Sequence, residues 1–183
     1  MNELPTKRIL AVDLRSTRVG FAVVETPIQL VDWGKRALTA DSCSALLLWL
    51  LQKYGISLMV VRKIQFDSPR NTARVRTGLR VIRKIARARS IELTAMSKND
   101  FNRVFQQPER RTKFEIARLM TVIFPELAQL LPRSRRCYEP ENRRMSVFDA
   151  VALAVVHLAI QVENDLVRQL LASAEGVFSA ASR

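Results

Sequence analysis

The hydrophobic and polar positions of the first forty or so residues predict three strands in close succession. Residues 8–14 (RILAVDL), 18–25 (RVGFAVVE) and 28–37 (IQLVDWGKRA) are rich in β-branched and aromatic residues and are separated by short turns. Strands joined by short turns pair with their neighbours along the chain, so this segment predicts an antiparallel meander.

Beyond the meander, segments with helical spacing alternate with short apolar runs. Asp41 and Ser42 are candidate N-caps of a helix that ends at residues 54–55, and residues 56–64 and 90–95 predict a fourth and a fifth strand. Further helices are expected over residues 69–88, after Ser97, over residues 112–124, and from Met145 towards Leu171. This order predicts an α/β domain, with a mixed sheet flanked by helices.

The length of 183 residues suits a single domain with one sizeable core. We expect residues 1–171 to form it and residues 172–183 to be a loosely ordered C-terminal tail. The sequence contains no apolar run of the roughly 18 residues that a membrane span needs. Cys43 and Cys137 are isolated and lack metal-ligand spacing, so a reducing, cytoplasmic setting without a zinc site is expected.

Charge narrows the range of partners. Thirty Lys and Arg residues against 17 Asp and Glu residues give a net charge of +13. Such an excess attracts polyanions, most often nucleic acid, although an acidic protein or an anionic lipid surface would also satisfy it.

The predicted helix over residues 69–88 carries an apolar stripe and, one residue later at the same spacing, a stripe of arginines. The apolar stripe comprises Val75, Leu79, Ile82 and Ala86, and the arginine stripe comprises Arg76, Arg80, Arg83 and Arg87. Between Ser68 and Ile91 there are eight basic residues and no acidic one. A charge run is commonly just a solvated helix face. This one-sided bias nevertheless predicts contact with nucleic-acid phosphates.

The first predicted hairpin around Asp13, residues 9–25 (ILAVDLRSTRVGFAVVE), and the helical run that Asp149 opens, residues 148–158 (FDAVALAVVHL), resemble segments of RuvC-like proteins, the Holliday-junction resolvase family of the RNase H-like superfamily. In the family's first hairpin a strand ends in an Asp and a Gly lies seven residues later, as Asp13 and Gly20 do in ILAVDLRSTRVGFAVVE. In its C-terminal helix an Asp opens an alanine-rich apolar run, as Asp149 does in FDAVALAVVHL. A lysine-bearing helix precedes that helix in the family, and Lys113 matches it. The resemblance covers nearly the whole chain in order and spacing.

The resemblance implies an RNase H-like fold, cleavage of branched DNA with Mg²⁺ or Mn²⁺, and a homodimer. Two-metal hydrolysis of a phosphodiester requires several carboxylates that converge on a pair of metal ions. Carried over, Asp13 is the central metal ligand, Asp149 is the ligand from the last helix, and Lys113 is a nucleic-acid contact.

The chain departs from the family at the other metal ligands. The family's Glu is expected within residues 60–66, where arginine, lysine and glutamine stand but no carboxylate does. A cation next to the pocket would repel Mg²⁺. The nearest acid is Asp67, which either caps the following helix or serves as a third catalytic carboxylate. Ser146 stands where the family has a second Asp on the last helix.

Three functions remain open on the sequence. One is a RuvC-like protein that binds branched or duplex DNA with weak or absent nuclease activity, aided by Arg143, Arg144 and the other arginines of the loop over residues 131–144. Another is an active Mg²⁺-dependent endonuclease with Asp13, Asp67 and Asp149 as catalytic residues. The third is a basic scaffold subunit that binds RNA or protein within a larger assembly.

Overall fold

A computed structural model describes residues 7–63, 73–105, 112–134, 141–161 and 165–180. The strands are β1 (Arg8–Leu14), β2 (Arg18–Glu25), β3 (Gln29–Ala37), β4 (Leu58–Arg62) and β5 (Glu92–Met96). The helices are α1 (Ala40–Tyr54), α2 (Ala73–Ala88), α3 (Lys98–Phe105), α4 (Lys113–Ile123), α5 (Met145–Gln161) and α6 (Asp165–Ala180), with a 3₁₀ helix over Pro125–Leu130.

The five strands form one mixed sheet in the order β3-β2-β1-β4-β5. β1, β2 and β3 pair antiparallel, which confirms the predicted meander. β4 pairs parallel with β1, and β5 pairs parallel with β4. The expected α/β architecture with a mixed sheet is therefore confirmed, and the carboxyl ends of β1 and β4 meet at one edge.

Helices cover both faces of the sheet. Along β1, Leu10 and Val12 face the layer of α1 and α2, whereas Ile9 and Ala11 face the layer that contains α5. Because side chains alternate along a strand, the next residue on the α5 side is Asp13. None of the described helices combines the length and apolarity that a membrane crossing requires.

The apolar stripe predicted for α2 is buried against the sheet. Val75 and Ile82 are among its buried residues, and Gly78 lies against Leu38 and Leu14, where a Cβ atom would come within 3.1 and 3.2 Å of the two leucine side chains. Residues 69–72 of the predicted helix lie outside the described residues.

The first helix begins earlier than predicted. Its N-cap is Thr39, not Asp41 or Ser42, because the Thr39 side chain accepts a hydrogen bond from the Ser42 backbone while the Ser42 side chain accepts one from Thr39. This reciprocal pair is a capping box. The helix ends as expected before Gly55, whose φ of 58° suits a residue without a Cβ atom.

The C-terminal region also differs from expectation. We expect one helix from Met145 towards Leu171, but the structure has α5 as far as Gln161 and a second helix, α6, from Asp165 to Ala180. Residues 172–180, expected to belong to a loosely ordered tail, continue α6. Val167, Leu171 and Ala174 are buried at helical spacing, so this face of α6 adds to the core and stabilises the helix.

Candidate functional site

Asp13 and Asp149 meet at the carboxyl edge of β1 because α5 packs very closely on β2. Gly20 is the cross-strand partner of Asp13, and a Cβ atom at Gly20 would overlap the backbone carbonyl of Ser146. Only glycine allows this approach. It brings the start of α5, and with it Asp149, over the end of β1, where both aspartates are buried.

The guanidinium of Arg15 joins these two aspartates. Its Nε atom donates a hydrogen bond to Asp13 Oδ2 at 2.6 Å, and its Nη2 atom donates to Asp149 Oδ2. Charge-assisted hydrogen bonds of this kind are among the strongest in proteins. One planar cation therefore links the two carboxylates that the resemblance assigns to metal ions.

Arg62, the last residue of β4, brings a second guanidinium to the same place. Its Nε atom is 3.7 Å from Asp13 Oδ1 and its Nη2 atom is 3.8 Å from Asp149 Oδ1. The guanidinium carbon lies 4.3 Å from the centre of the Phe101 ring, within the range of a cation–π interaction. A cation thus stands at the end of β4, in the stretch where the resemblance predicts a Glu.

Lys113 and Glu141 complete the group. Lys113 Nζ donates a hydrogen bond to Glu141 Oε1 at 2.8 Å and is 3.7 Å from Asp149 Oδ2. Arg15 Nη1 is 3.6 Å from Glu141 Oε2. We call these six residues the Asp13 cluster: Asp13, Arg15, Arg62, Lys113, Glu141 and Asp149. Lys113 is a predicted site residue, whereas Glu141 is not among the predicted ones.

The charges in the Asp13 cluster shift the acidity of its buried members. Burial, reinforced by the negative charge of Asp149, raises the pKa of Asp13 to about 6, although Arg15 and Arg62 oppose the rise. Burial acts to lower the pKa of Arg15, but the carboxylates of Asp13 and Asp149 outweigh it and raise that pKa above its ordinary value. At neutral pH the arginine is therefore charged and most Asp13 side chains are ionised.

The arginine stripe of α2 lies on the other face of the sheet. All four of its members are exposed: Arg76, Arg80, Arg83 and Arg87. Arg80 follows Gly78 by two residues, or about 200° around the helix. The stripe therefore points away from Leu14 and Leu38, which Gly78 faces. Among the described residues, none of the four arginines forms an ion pair with a carboxylate.

Comparison with known proteins identifies the architecture. No family model and no curated protein matches the sequence. Among solved structures, Thermus thermophilus RuvC superposes with a TM-score of 0.64 over 86% of this chain and 97% of that chain, at 15% identity. The yeast mitochondrial Holliday junction resolvase Ydc2 gives 0.55 over 92% and 85%, at 14% identity. A fowlpox virus resolvase bound to Holliday junction DNA gives 0.50 over 81% and 98%, at 12% identity.

This protein has the RuvC-like fold. The match covers most of each compared chain and agrees with the mixed five-stranded sheet flanked by helices, so the RNase H-like class expected from the resemblance is confirmed. At 12–15% identity the likeness concerns the fold.

The RuvC-like resemblance implies a divalent metal, and the residues of the Asp13 cluster do not fit one. Metal ligation by carboxylates needs oxygen atoms that are free to bind the ion. Here Asp13 Oδ2 and Asp149 Oδ2 each accept a hydrogen bond from Arg15, and Arg62 adds a second positive charge within 4 Å of both residues. In the ranges that the structure describes, no three His, Cys, Asp or Glu side chains are grouped as metal ligands.

Among the described residues, the predicted nucleic-acid contacts Arg143 and Arg144 form no ion pair with the Asp13 cluster. Arg143 and Arg144 are exposed directly before α5, two and three residues after Glu141. Ser146 is buried and its hydroxyl donates to the Arg143 carbonyl at 3.1 Å. Asp67 and residues 135–140 of the basic loop lie outside the described residues, so the role of Asp67 stays a prediction.

Sequence analysis noticed the basic residues within 60–66 only as a departure from the family and placed neither Arg15 nor Arg62 in contact with Asp13 and Asp149. A signal was available for Arg15, because a residue two places after Asp13 lies on the same side of an extended chain. For Arg62 the signal was the parallel pairing of β1 and β4, which aligns Val12 with Val61 and so places Arg62 beside Asp13.

Proposed function

We propose that this protein is a RuvC-like nucleic-acid-binding protein that recognises branched or duplex DNA and cleaves it weakly or not at all. The observation that carries the proposal is the bonding of one guanidinium, that of Arg15, to both Asp13 and Asp149. The positive charge that metal ions bring to a resolvase site is here supplied by the chain itself. Arginine can attract a phosphate but does not generate the hydroxide nucleophile that a bound metal provides.

The arginine stripe of α2 supports DNA binding. The first and last arginines of the stripe, Arg76 and Arg87, are 11 positions apart, which corresponds to about 16 Å along the helix. That length corresponds to roughly five phosphates of one strand at 3.4 Å of helix axis each. Contacts to phosphates fix the position of a protein on a duplex without reading sequence. We therefore expect recognition of backbone and shape, with little dependence on base sequence.

The other two functions make different demands. An active endonuclease requires Asp13, Asp67 and Asp149 to bind metal together, which in turn requires Arg15 to leave both aspartates. A scaffold that binds RNA or protein would place its partner on the same basic surfaces.

The resemblance further implies a homodimer, since a symmetric pair of chains matches a four-way junction. Sedimentation of the protein with and without junction DNA measures this.

Binding to a fluorescently labelled four-way junction tests the proposal, with anisotropy recorded over a series of salt concentrations in EDTA. We expect affinity to fall steeply with salt, because each neutralised phosphate releases counterions. The double variant Arg83→Gln, Arg87→Gln is expected to reduce the slope of log K against log salt by about 2, since each phosphate contact contributes about 1.

The matched control is Lys53→Gln, Arg168→Gln, which removes two exposed charges from α1 and α6. It should bind with nearly the slope of the unmodified protein. A flat salt response of the unmodified protein, or tighter binding to structured RNA than to any DNA, would contradict the proposal. An equal loss in both double variants would contradict the assignment of the α2 stripe.

A further inference from the structure

Stacking on Phe101 orients the guanidinium of Arg62, which makes ion pairs but no hydrogen bond within the described residues. Its Nε atom is buried and, among those residues, has no hydrogen-bond partner. Its distances of 3.7 and 3.8 Å to Asp13 and Asp149 permit electrostatic attraction but exceed hydrogen-bond length. A buried donor without a partner lowers stability by about 1–3 kcal/mol. Because Nε is buried and lies towards Asp13, the donors of this half-exposed side chain that a ligand from solvent can reach are those of its terminal Nη atoms.

The side chains of the Asp13 cluster differ in how far they are exposed to solvent. The aspartates lie inside, with 2% of the Asp13 side chain and 10% of the Asp149 side chain exposed. Arg62 and Lys113 lie outside them, with 37% and 40% exposed. Glu141 is the cluster's outer carboxylate, and it is bound to Lys113. A ligand that approaches from solvent therefore meets Arg62, Lys113 and the Lys113-bound Glu141 before it meets the buried aspartates.

We propose that Arg62 and Lys113 form a binding site for one phosphodiester group of a nucleic-acid strand. The planar guanidinium offers paired N–H donors that match two phosphate oxygens, and stacking on Phe101 sets its orientation before the ligand arrives. Lys113 Nζ contributes a second charge from the other side of Asp149. The inference rests on the proposed function and deepens it: the strand is held over the Asp13 cluster by an arginine in the place where the resemblance puts a metal-ligating Glu.

Binding to the junction in EDTA tests this site with both partners altered. The protein variant is Arg62→Gln, and the DNA carries a single neutral methylphosphonate linkage that is moved along one strand near the branch. For the unmodified protein we expect one position of the neutral linkage to weaken binding about tenfold, which is the loss of one hydrogen-bonded charge contact. Arg62→Gln is expected to lose about tenfold on unmodified DNA and nothing further at that linkage.

Controls separate the possible failures. Lys53→Gln removes one exposed charge at the end of α1, far from the Asp13 cluster. The neighbouring Tyr54 carbonyl accepts a hydrogen bond from Arg8, which begins β1, whereas Asp13 lies at the other end of that strand. This control should retain the tenfold loss at the sensitive linkage. Arg62→Lys keeps the charge without the paired donors and should bind with intermediate affinity. The phosphate site is overturned if the unmodified protein binds the junction but no position of the neutral linkage weakens binding. It is also overturned if that linkage weakens the binding of Arg62→Gln as much as that of the unmodified protein. In both cases the proposed function stands. If the unmodified protein binds no DNA, the proposed function itself has failed.

Discussion

Replacing Arg15 with methionine is expected to lower the free energy of unfolding by about 3–5 kcal/mol at pH 8, because it leaves two buried carboxylates without their shared partner. For a chain of this size that loss corresponds to a fall in Tm of roughly 6–20 °C. Methionine keeps much of the side chain's length and apolar contact, so the charge and its two hydrogen bonds are what the substitution removes.

The pH dependence of this loss identifies its cause. The pKa of Asp13 is raised to about 6 from an ordinary value of 3.8, so its contribution to stability is fully present below 3.8 and is lost as the pH rises through 6. Arg15 opposes the rise, and without it the pKa of Asp13 climbs further. The deficit of Arg15→Met is therefore expected to be largest at high pH, to shrink as the pH falls through the higher pKa of Asp13 in the variant, and to be smallest at pH 5, where Asp13 is protonated in both proteins.

Thermal unfolding at pH 8 and pH 5 measures the effect, with Arg8→Met as the matched control. Arg8 forms an ion pair with Glu25 at 2.6 Å, but 42% of its side chain is exposed. Exposed pairs contribute about 0–1 kcal/mol, so this control should change little at either pH. A deficit of Arg15→Met below 1 kcal/mol, or one of the same size at both pH values, would contradict the central role of Arg15.

Gly20→Ala is expected to destabilise the protein by about 3 kcal/mol or more, because overpacking against a fixed backbone cannot be relieved by a side-chain rotation. The new methyl group would overlap the Ser146 carbonyl, which belongs to the first turn of α5. The helix would have to move away from β2, and Asp149 would move with it. The substitution should therefore loosen the Asp13 cluster as well as lower Tm.

The same substitution at Gly176 is its control. A Cβ atom at Gly176 meets nothing within 4 Å, and the residue lies within α6. Alanine in a helix interior is favoured over glycine by about 0.5–1 kcal/mol, so Gly176→Ala should leave Tm unchanged or raise it. Thermal unfolding of both variants decides the matter, and equal Tm values for Gly20→Ala and the unmodified protein would show that α5 is not held in the described position.

The parts of the fold that sequence predicted best are those specified by local pattern. The bounds of β1 and β2 follow from runs of β-branched residues between turns, and the buried stripe of α2 follows from its helical spacing. Residues 145–171 contain no strong helix-breaking residue, so the sequence predicts one helix, whereas the structure assigns α5 up to Gln161 and α6 from Asp165, with residues 162–164 outside the described residues. The cap of α1 was misplaced by two or three residues because Thr39, Asp41 and Ser42 are all good caps and only the backbone geometry chooses among them.

The candidate site was predictable only in part, since its members are far apart in sequence. Asp13 and Asp149 were found through the resemblance, and the structure brings them together. The contact between Arg15 and Asp149 spans 134 positions and depends on the packing of α5 over Gly20. Sequence alone registered the missing carboxylates and the cations within residues 60–66, but it did not show that one arginine, Arg15, bonds to both aspartates.

We propose that arginine, not a divalent metal, neutralises Asp13 and Asp149. Cleavage of a labelled four-way junction, in EDTA and in Mg²⁺ or Mn²⁺, tests it most directly when the unmodified protein and Asp13→Asn are compared. We expect a stable complex in EDTA and in either metal at matched ionic strength, with little or no metal-dependent product for either protein. Metal-dependent symmetric nicking that disappears in Asp13→Asn would contradict it and would establish an active endonuclease.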